Sequence, residues 1–170
     1  MGAYTGGRTG PHPSQKHGTP NAGMHSKEPR LTPAEVLSGQ ALEDLKEFLK
    51  ERSIPPQERS KTSRGHMGLV SKVLADPTIA GLPEGRTYEF FREVRLNGRN
   101  GGTPDIIAVS DDGRIYLIEC TSNPNRIQNS TNQAKRGVRT LEQSRRVRAT
   151  GICCYTLNRD PEIYHDIVTP

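Results

Sequence analysis

The sequence predicts an α/β domain in which a four-stranded mixed sheet is flanked by helices. Three observations predict it: apolar residues recur at helical spacing before residue 76, at strand spacing between residues 87 and 121, and at helical spacing again after residue 130. A last strand-like run follows. The predicted order is α-α-β-β-β-α-β. Three successive strands, then a helix and a fourth strand, imply a mixed sheet with helices on its faces.

The N-terminal part of the chain divides into two predicted segments. Residues 1–30 hold many Gly, Pro, His and Ser and almost no aliphatic side chains, which predicts a disordered leader or linker. Residues 31–58 are predicted to form a helical extension. Its helix would start at the capping-box pattern Thr32–Glu35 and continue to about Arg52. A second helix is predicted from Gly65 to Ala75, ending before Asp76-Pro77.

Three strands are predicted next. Thr87–Leu96 alternates, and the residues expected on one face are Tyr88, Phe90, Val94 and Leu96. Asp112-Gly113 is a hairpin signal between the strands Pro104–Val109 and Arg114–Thr121. The second of these is apolar on both faces until Glu119, so it is expected to be central.

A basic helix and a final strand complete the predicted domain. Ser130 or Thr131 would cap a helix that runs to about Arg148, and the last strand would cover Gly151–Leu157. A short element is expected over Ile163–Val168. The inward stripe of the helix would be Ala134, Val138, Leu141 and the aliphatic stem of Arg145.

The charge pattern indicates an anionic partner. Lys and Arg number 24 against 19 Asp and Glu, giving +5 and a pI of about 9.3, and only 31% of residues are hydrophobic. The basic residues crowd one segment: Arg136, Arg139, Arg145, Arg146 and Arg148. A basic stripe attracts phosphate backbones, although the same pattern is typical of a solvated helix face.

The sequence contains neither a predicted membrane span nor an apolar signal region. It contains no apolar run of about 18 residues and no apolar N-terminal signal region, so no membrane partner is expected. The three cysteines, Cys120, Cys153 and Cys154, are predicted to be buried free thiols. A reducing, cytoplasmic site of action fits them, with delivery by another route as the alternative.

Two carboxylates are predicted to converge. Asp105 begins one strand and Glu119 ends the next, so the hairpin brings them toward the same end of adjacent strands. Two such groups form a hard-oxygen site suited to Mg²⁺ or Mn²⁺. A carboxylate in an otherwise apolar central strand is costly unless a cation or donors satisfy it. We therefore expect Asp105 and Glu119 to hold a metal together.

These residues also carry a family resemblance. Pro104-Asp105, thirteen residues and then Glu119-Cys120-Thr121 resemble the PD-(D/E)xK nuclease motif. The text GTPDIIAVSDDGRIYLIECTS is similar to the C-terminal nuclease domains of bacterial polymorphic, contact-dependent toxins, and to archaeal junction resolvases. The resemblance covers about residues 60–157. It implies a restriction-endonuclease-like core, a nuclease domain over residues 59–170, and metal-dependent hydrolysis of DNA or RNA.

The sequence departs from the motif at one position. Thr121 stands where the family has its catalytic lysine. In one interpretation Lys135 on the following helix supplies the cation, Gln133 and Arg136 contact phosphate, and Thr121 itself could orient water. Arg139, Arg145 and Arg146 are then further nucleic-acid contacts. In the other interpretation the site is degenerate and the domain only binds.

Two further side chains have competing interpretations. The family usually takes another carboxylate from its first core helix, and Gly65–Ala75 has none, so Glu93 is the substitute metal ligand and Glu89 the weaker one. Alternatively, Glu93 faces solvent and pairs with Arg95 or Arg114. His66 is interpreted as a surface histidine at a helix end, with phosphate contact or acid catalysis as the alternative.

Three functional hypotheses follow from the resemblance. The first is a toxin domain of interbacterial competition, favoured by the small size, the linker-like leader and the motif text, with a cognate immunity protein as partner. The second is a non-catalytic nucleic-acid-binding module on the same fold. The third is a repair or junction-resolving nuclease that acts as a homodimer.

Overall fold

A mixed sheet organises the computed structural model, which describes residues 36–59, 63–96, 102–158 and 161–168. Within those ranges the sheet has five strands in chain order. They are β1 (Tyr88–Arg92), β2 (Ile106–Ser110), β3 (Ile115–Thr121), β4 (Ala149–Thr156) and β5 (Ile163–Val168). β3 and β4 are parallel, and the other three neighbouring pairs are antiparallel.

The predicted fold class is confirmed, with one correction to the strand count. The element over Ile163–Val168 is a fifth strand, paired with β4 along its length. It lies at the sheet edge and most of its side chains are at least partly exposed, so its sequence carries little strand alternation. The remaining helices and strands follow the predicted order α-α-β-β-β-α-β.

In the described part of the chain, three helices flank the sheet: α1 (Gly39–Arg52), α2 (Arg64–Ala75) and α3 (Ile127–Arg145). The predicted start of α1 at Thr32 is wrong, because residues 36–38 are not helical and α1 begins at Gly39; Thr32 itself lies outside the described residues. The predicted cap of α3 is also wrong. A 3-10 turn at Pro124–Arg126 leads directly into α3, which places Ser130 and Thr131 inside the helix.

Each face of the sheet has its own hydrophobic core. Leu45 and Leu49 of α1 pack with α3 on one face, in a cluster that includes Ala134, Val138, Leu141, Leu117 and Val109. Leu69, Val70 and Val73 of α2 pack on the other face against Ile106, Ile118 and Ile152. The helix predicted as an N-terminal extension therefore contributes to the domain core. Truncating either buried leucine of α1 to alanine would cost about 2–5 kcal/mol.

The hairpin between β2 and β3 forms as predicted, and its glycine is required. Gly113 has φ 82, a left-handed conformation, and its N–H donates to the Ser110 carbonyl at 2.9 Å. A Cβ at this position would overlap the Leu37 carbonyl oxygen. The turn fixes the register in which Ile106 pairs with Ile118, and this register aligns the two strand ends that carry Asp105 and Glu119.

A second glycine sets how closely α3 lies on the sheet. Gly137 is buried, and a Cβ there would stand 2.8 Å from Leu117 Cδ1. Contacts under 3.0 Å are essentially never seen for a real Cβ. The missing side chain therefore lets the helix backbone approach β3 two residues before Glu119.

The strand alternation predicted for Thr87–Leu96 fails at Glu93. β1 ends at Arg92, and Glu93 has φ 47, a left-handed conformation that is uncommon for a residue other than glycine. Tyr88 and Phe90 pack against the α2 cluster, whereas Val94 and Leu96 pack with Phe91 in the other cluster. The change of face follows from the turn of the backbone at Glu93.

Two predictions about the whole chain can be compared with the described ranges. The three cysteines are free and buried, as expected. Among the described helices, none combines the length and apolar character needed to cross a bilayer. The predicted leader, residues 1–30, lies outside the described residues, as does most of the predicted loop 97–102.

Candidate active site

Asp105 and Glu119 lie side by side at one end of the β2–β3 pair. The register that pairs Ile106 with Ile118 sets Asp105 opposite Glu119. The Cys120 backbone N–H donates to Asp105 Oδ2 at 2.8 Å, which holds that carboxylate against β3. The structure therefore brings the two predicted metal ligands together. Their catalytic and metal-binding roles remain predictions.

The electrostatics of this pair favour a proton or a cation. Glu119 is 7% exposed, and its pKa is raised well above the usual range, first by burial and then by the neighbouring negative charge of Asp105. The positive charge of Arg136 lowers the pKa of Glu119 and acts more weakly. A protonated Glu119 can donate to Asp105, whereas two ionised carboxylates need a compensating charge.

His66 is a third member of the site, and its interpretation as a surface histidine is wrong. It lies in the first turn of α2, where its backbone N–H donates to the Ser63 hydroxyl at 3.2 Å. Its Nε2 lies 3.2 Å from Asp105 Oδ1. The hydrogen bond to Asp105 raises the pKa of His66, and burial acts against that shift. Sequence periodicity locates the start of α2 but not its distance from β2, so nothing in the sequence identified this contact.

The three groups open into a polar pocket of about 590 Å³. Its walls come from the first turn of α2, the ends of β2 and β3, and the N-terminal half of α3. Almost every lining side chain is polar: Ser63, His66, Thr103, Asp105, Glu119, Cys120, Thr121, Ser122, Asn123, Arg126, Asn129, Ser130 and Gln133. Gln133, predicted to contact nucleic acid, is among them. The pocket therefore presents donors and acceptors suited to a hydrated, charged ligand.

Thr121 lines this pocket, but its hydroxyl already has partners. It accepts from the Asn123 N–H at 3.2 Å and lies 3.3 Å from the Asn123 carbonyl oxygen, to which it can donate. These bonds shape the turn that leads from β3 to α3. Orientation of water by Thr121 remains a prediction, and the hydroxyl would have to exchange a turn contact to perform it.

The structure places Lys135 outside the carboxylate pocket. It lines a separate surface pocket of about 370 Å³ together with Asn129, Asn132, Arg136 and Arg139. Asn129 belongs to both pockets, so the two are neighbours along α3. The charge of Arg136, another predicted cation of α3, lowers the pKa of Glu119.

Glu93 lies near the site but not in the pocket lining. Its carboxylate is 15% exposed and lies 3.6 Å from Arg59 Nε, so the expected pairing with Arg95 or Arg114 is wrong. Its negative charge adds to the raised pKa of His66. A role for Glu93 as a metal ligand remains a prediction.

Arg145 and Arg146 lie at the far end of α3. The Arg145 guanidinium stacks over the Phe48 ring at 4.4 Å, in line with the predicted inward packing of its stem. Arg146 ends the helix with φ 53. At 1.5 Å per residue these positions are about 18 Å from Gln133 along the axis. Their predicted nucleic-acid contacts would therefore be distant from the carboxylates.

The described side chains at this site fit a hard divalent cation that also binds water and substrate. They do not form the complete shell of a metal coordinated by the protein alone. In the ranges that the structure covers, no three His, Cys, Asp or Glu side chains are grouped to share an ion. His66 contacts Asp105 directly, which leaves two carboxylates as the protein ligands. Mg²⁺ is commonly bound by one or two carboxylates, with water and substrate phosphate completing its shell. Asp105 and Glu119 match that pattern.

Comparison with known proteins gives one structural similarity. No family model and no curated protein matches the chain. The crystal structure of a repair endonuclease from Pyrococcus abyssi is similar to it, with 22% sequence identity and a TM-score of 0.40. The similarity covers 58% of this chain and 39% of that one, so this chain spans well under half the length of that structure.

Proposed function

We propose that this chain is a metal-dependent endonuclease that hydrolyses phosphodiester bonds in DNA or RNA. One observation carries the proposal: two carboxylates, Asp105 and the buried Glu119, converge in a polar pocket beside a basic helix. Such a pair is costly without a cation. The basic residues along α3 provide attraction for a polyanion next to it.

Asp105 and Glu119 would hold Mg²⁺ or Mn²⁺. When bound, such an ion polarises the scissile phosphate and lowers the pKa of a coordinated water. The chain itself positions the ligands, because the Cys120 N–H and His66 Nε2 each contact one oxygen of Asp105. Partners of this kind orient a metal-binding carboxylate and keep it ready for its ion.

Residues of α3 would orient the substrate. Arg126 and Gln133 line the pocket and can donate to phosphate oxygens. We propose that Arg136 takes the electrostatic role of the missing lysine. Arg136 and Lys135 both line the neighbouring pocket, but it is the positive charge of Arg136 that lowers the pKa of Glu119. Lys135 and Arg139 would then contact the backbone away from the scissile bond.

The proposal is tested by incubating the purified chain with plasmid DNA and with total RNA, in Mg²⁺ and in EDTA. Cleavage in Mg²⁺ alone is expected, and both Asp105→Ala and Glu119→Ala should abolish it. Glu47→Ala is the matched control, because this carboxylate is exposed on α1 and lines none of the pockets described. Undiminished cleavage in EDTA or in either site variant would eliminate the mechanism.

A specific observation favours a second candidate, a module that binds nucleic acid without cleaving it. Thr121 replaces the family lysine and is bonded to Asn123, and no lysine among the described residues lines the carboxylate pocket. The same incubation separates the candidates. Tight binding with no cleavage in either Mg²⁺ or Mn²⁺ would favour the binding module.

For the biological setting we propose an interbacterial toxin domain that acts in the cytoplasm and is neutralised by a cognate immunity protein. The motif text and the linker-like composition of residues 1–30 support this setting. Cytoplasmic expression should arrest growth, and Asp105→Ala should relieve the arrest. Co-expression of an acidic protein encoded next to this chain should relieve it as well. A homodimer in sedimentation, with no effect on growth, would instead favour a repair or junction-resolving nuclease.

A further inference from the structure

A second sizeable pocket lies along the outer edge of β1, on the side where no described strand pairs with it. It has a volume of about 550 Å³ and is bounded by the C-terminal ends of α1 and α2. Lys50 comes from α1, Leu74 from α2, and Glu89 and Arg92 from β1, while Arg59 closes one side. None of these residues lines the carboxylate pocket.

The charges in this β1-edge pocket do not balance. Three cations, Lys50, Arg59 and Arg92, line it with a single carboxylate, Glu89. Glu89 lies 3.3 Å from Lys46, and Arg59 lies 3.6 Å from Glu93. Within the described ranges, Lys50 and Arg92 make no ion pair. Two uncompensated positive charges therefore face the same cavity.

The Nε atom of Arg92 also has no hydrogen-bond acceptor in the described ranges. This nitrogen is buried. Buried polar atoms in folded proteins are almost always bonded, so an unpaired guanidinium nitrogen beside a cavity indicates an acceptor that the described part of the chain does not supply. The planar guanidinium presents paired N–H groups that match two oxygens of a phosphate.

The pocket is close to the carboxylates along two routes. On α2, Leu74 of the pocket is eight residues from His66 of the carboxylate site, about 12 Å at 1.5 Å per residue. On β1, Arg92 precedes Glu93, whose N–H donates to the Asp105 carbonyl at 3.1 Å. Phosphates recur about every 3.4 Å of axis along one strand of a duplex. The pocket therefore falls within a few nucleotides of a phosphate held at Asp105.

We propose that the β1-edge pocket binds a backbone phosphate of the nucleic acid, a few nucleotides from the bond that is cleaved. Arg92 supplies the paired donors and Lys50 the second charge. This assignment rests on the proposed nuclease function. In this arrangement α3 and the β1-edge pocket hold the substrate on opposite sides of the carboxylate site. The two contacts together determine which stretch of backbone passes the carboxylates.

Arg92→Gln and Lys50→Gln test the assignment, with Lys72→Gln as the matched control. Lys72 is exposed on α2 and lines none of the pockets described. Binding of labelled single strands and duplexes, in DNA and RNA forms, is measured by anisotropy over a range of salt concentrations without divalent cations. Each lost phosphate contact should reduce the slope of log K against log salt by about 0.7–0.9. Lys72→Gln should keep the wild-type slope.

A second measurement follows the Arg92 Nε–H resonance while inorganic pyrophosphate is added. A shift in the wild type, together with the reduced slopes, supports the proposal. Wild-type slopes in both pocket variants, or an equal loss in Lys72→Gln, would overturn it, and a carboxylate of a protein partner would become the ligand to test.

If pyrophosphate shifts the Arg92 resonance but no nucleic acid binds, the assignment to nucleic acid falls together with the proposed function. If nucleic acid is cleaved but Arg92 does not respond, only the second anchor is lost. Because Lys50 is exposed, its variant remains informative if Arg92→Gln does not fold.

Discussion

Glu119→Gln should make the metal-free protein more stable and inactive at the same time. Glu119 is 7% exposed and lies against Asp105, so its ionised form is disfavoured by burial and by a like charge. The folded-state pKa of Glu119 is therefore higher than its unfolded-state pKa. An amide has nearly the same shape, can donate to Asp105 as the protonated acid does, and carries no charge.

The size of the gain follows from that environment. Two charges 4 Å apart repel by about 4 kcal/mol at an effective dielectric constant of 20, which is an upper bound because Glu119 can take up a proton instead. A buried polar group without compensation costs about 1–3 kcal/mol. We expect a gain in that lower range at pH 8. The corresponding rise in Tm is about 3 °C per kcal/mol for a domain of this size.

The pH dependence gives the sign of the effect. Below the unfolded-state pKa, near 4.3 for a free Glu, the residue is protonated in both states and the substitution should have little effect on stability. The advantage of Glu119→Gln should grow as the pH rises toward the raised folded-state pKa. Thermal unfolding in EDTA at pH 4 and pH 8 measures both limits.

Magnesium should reverse the order of stability. The wild type gains RT ln(1 + [Mg²⁺]/Kd) when the ion binds only the folded state, and the variant should gain little. A Glu119→Gln protein that is no more stable than wild type at pH 8 in EDTA, or that is stabilised equally by Mg²⁺, would refute the account of the carboxylate pair.

Three further outcomes are expected. In single-turnover assays at saturating enzyme, Arg136→Ala should slow cleavage by about tenfold or more, equivalent to about 1.4 kcal/mol, and by more than Lys135→Ala does; the reverse order would restore Lys135 as the substitute for the family lysine. His66→Ala should weaken Mg²⁺ binding or activity by about 10–100-fold through the loss of its contact with Asp105, measured by metal titration and by cleavage rate; unchanged values would reduce the contact to a structural one. Deletion of residues 1–30 should leave cleavage and cooperative unfolding intact, because the segment has little apolar surface to bury; a lower Tm would contradict this.

The parts of the fold that periodicity determines were predictable from the sequence. β3 is apolar on both faces, and it is the central, fully buried strand that this pattern predicts. Asp112-Gly113 predicted the hairpin, which in turn sets Asp105 opposite Glu119. These features depend on neighbouring residues only, so local sequence carries the information.

The remaining parts depend on contacts between distant segments. The contact of His66 with Asp105 requires the packing of α2 on the sheet, which no spacing encodes. Val94 and Leu96 were assigned to the face of Tyr88 and Phe90, because the left-handed backbone at Glu93 cannot be foreseen from a Glu side chain. Lys135 lines the pocket next to the carboxylate pocket. The spacing of apolar residues predicts the buried stripe of α3 but not how far a neighbouring side chain lies from Glu119.

Because residue 137 has no side chain, α3 packs against β3 at the closest approach that Leu117 allows. Leu117 fills the space that a Cβ would need, so even alanine at position 137 would push the helix outward or force the leucine to another rotamer. Arg136 is the adjacent residue and Gln133 lies one turn earlier, so both would move with the helix relative to Glu119. A selection for inactive variants should therefore recover substitutions at a buried glycine that contacts no substrate, and a repacked, smaller residue at position 117 should restore activity to some of them.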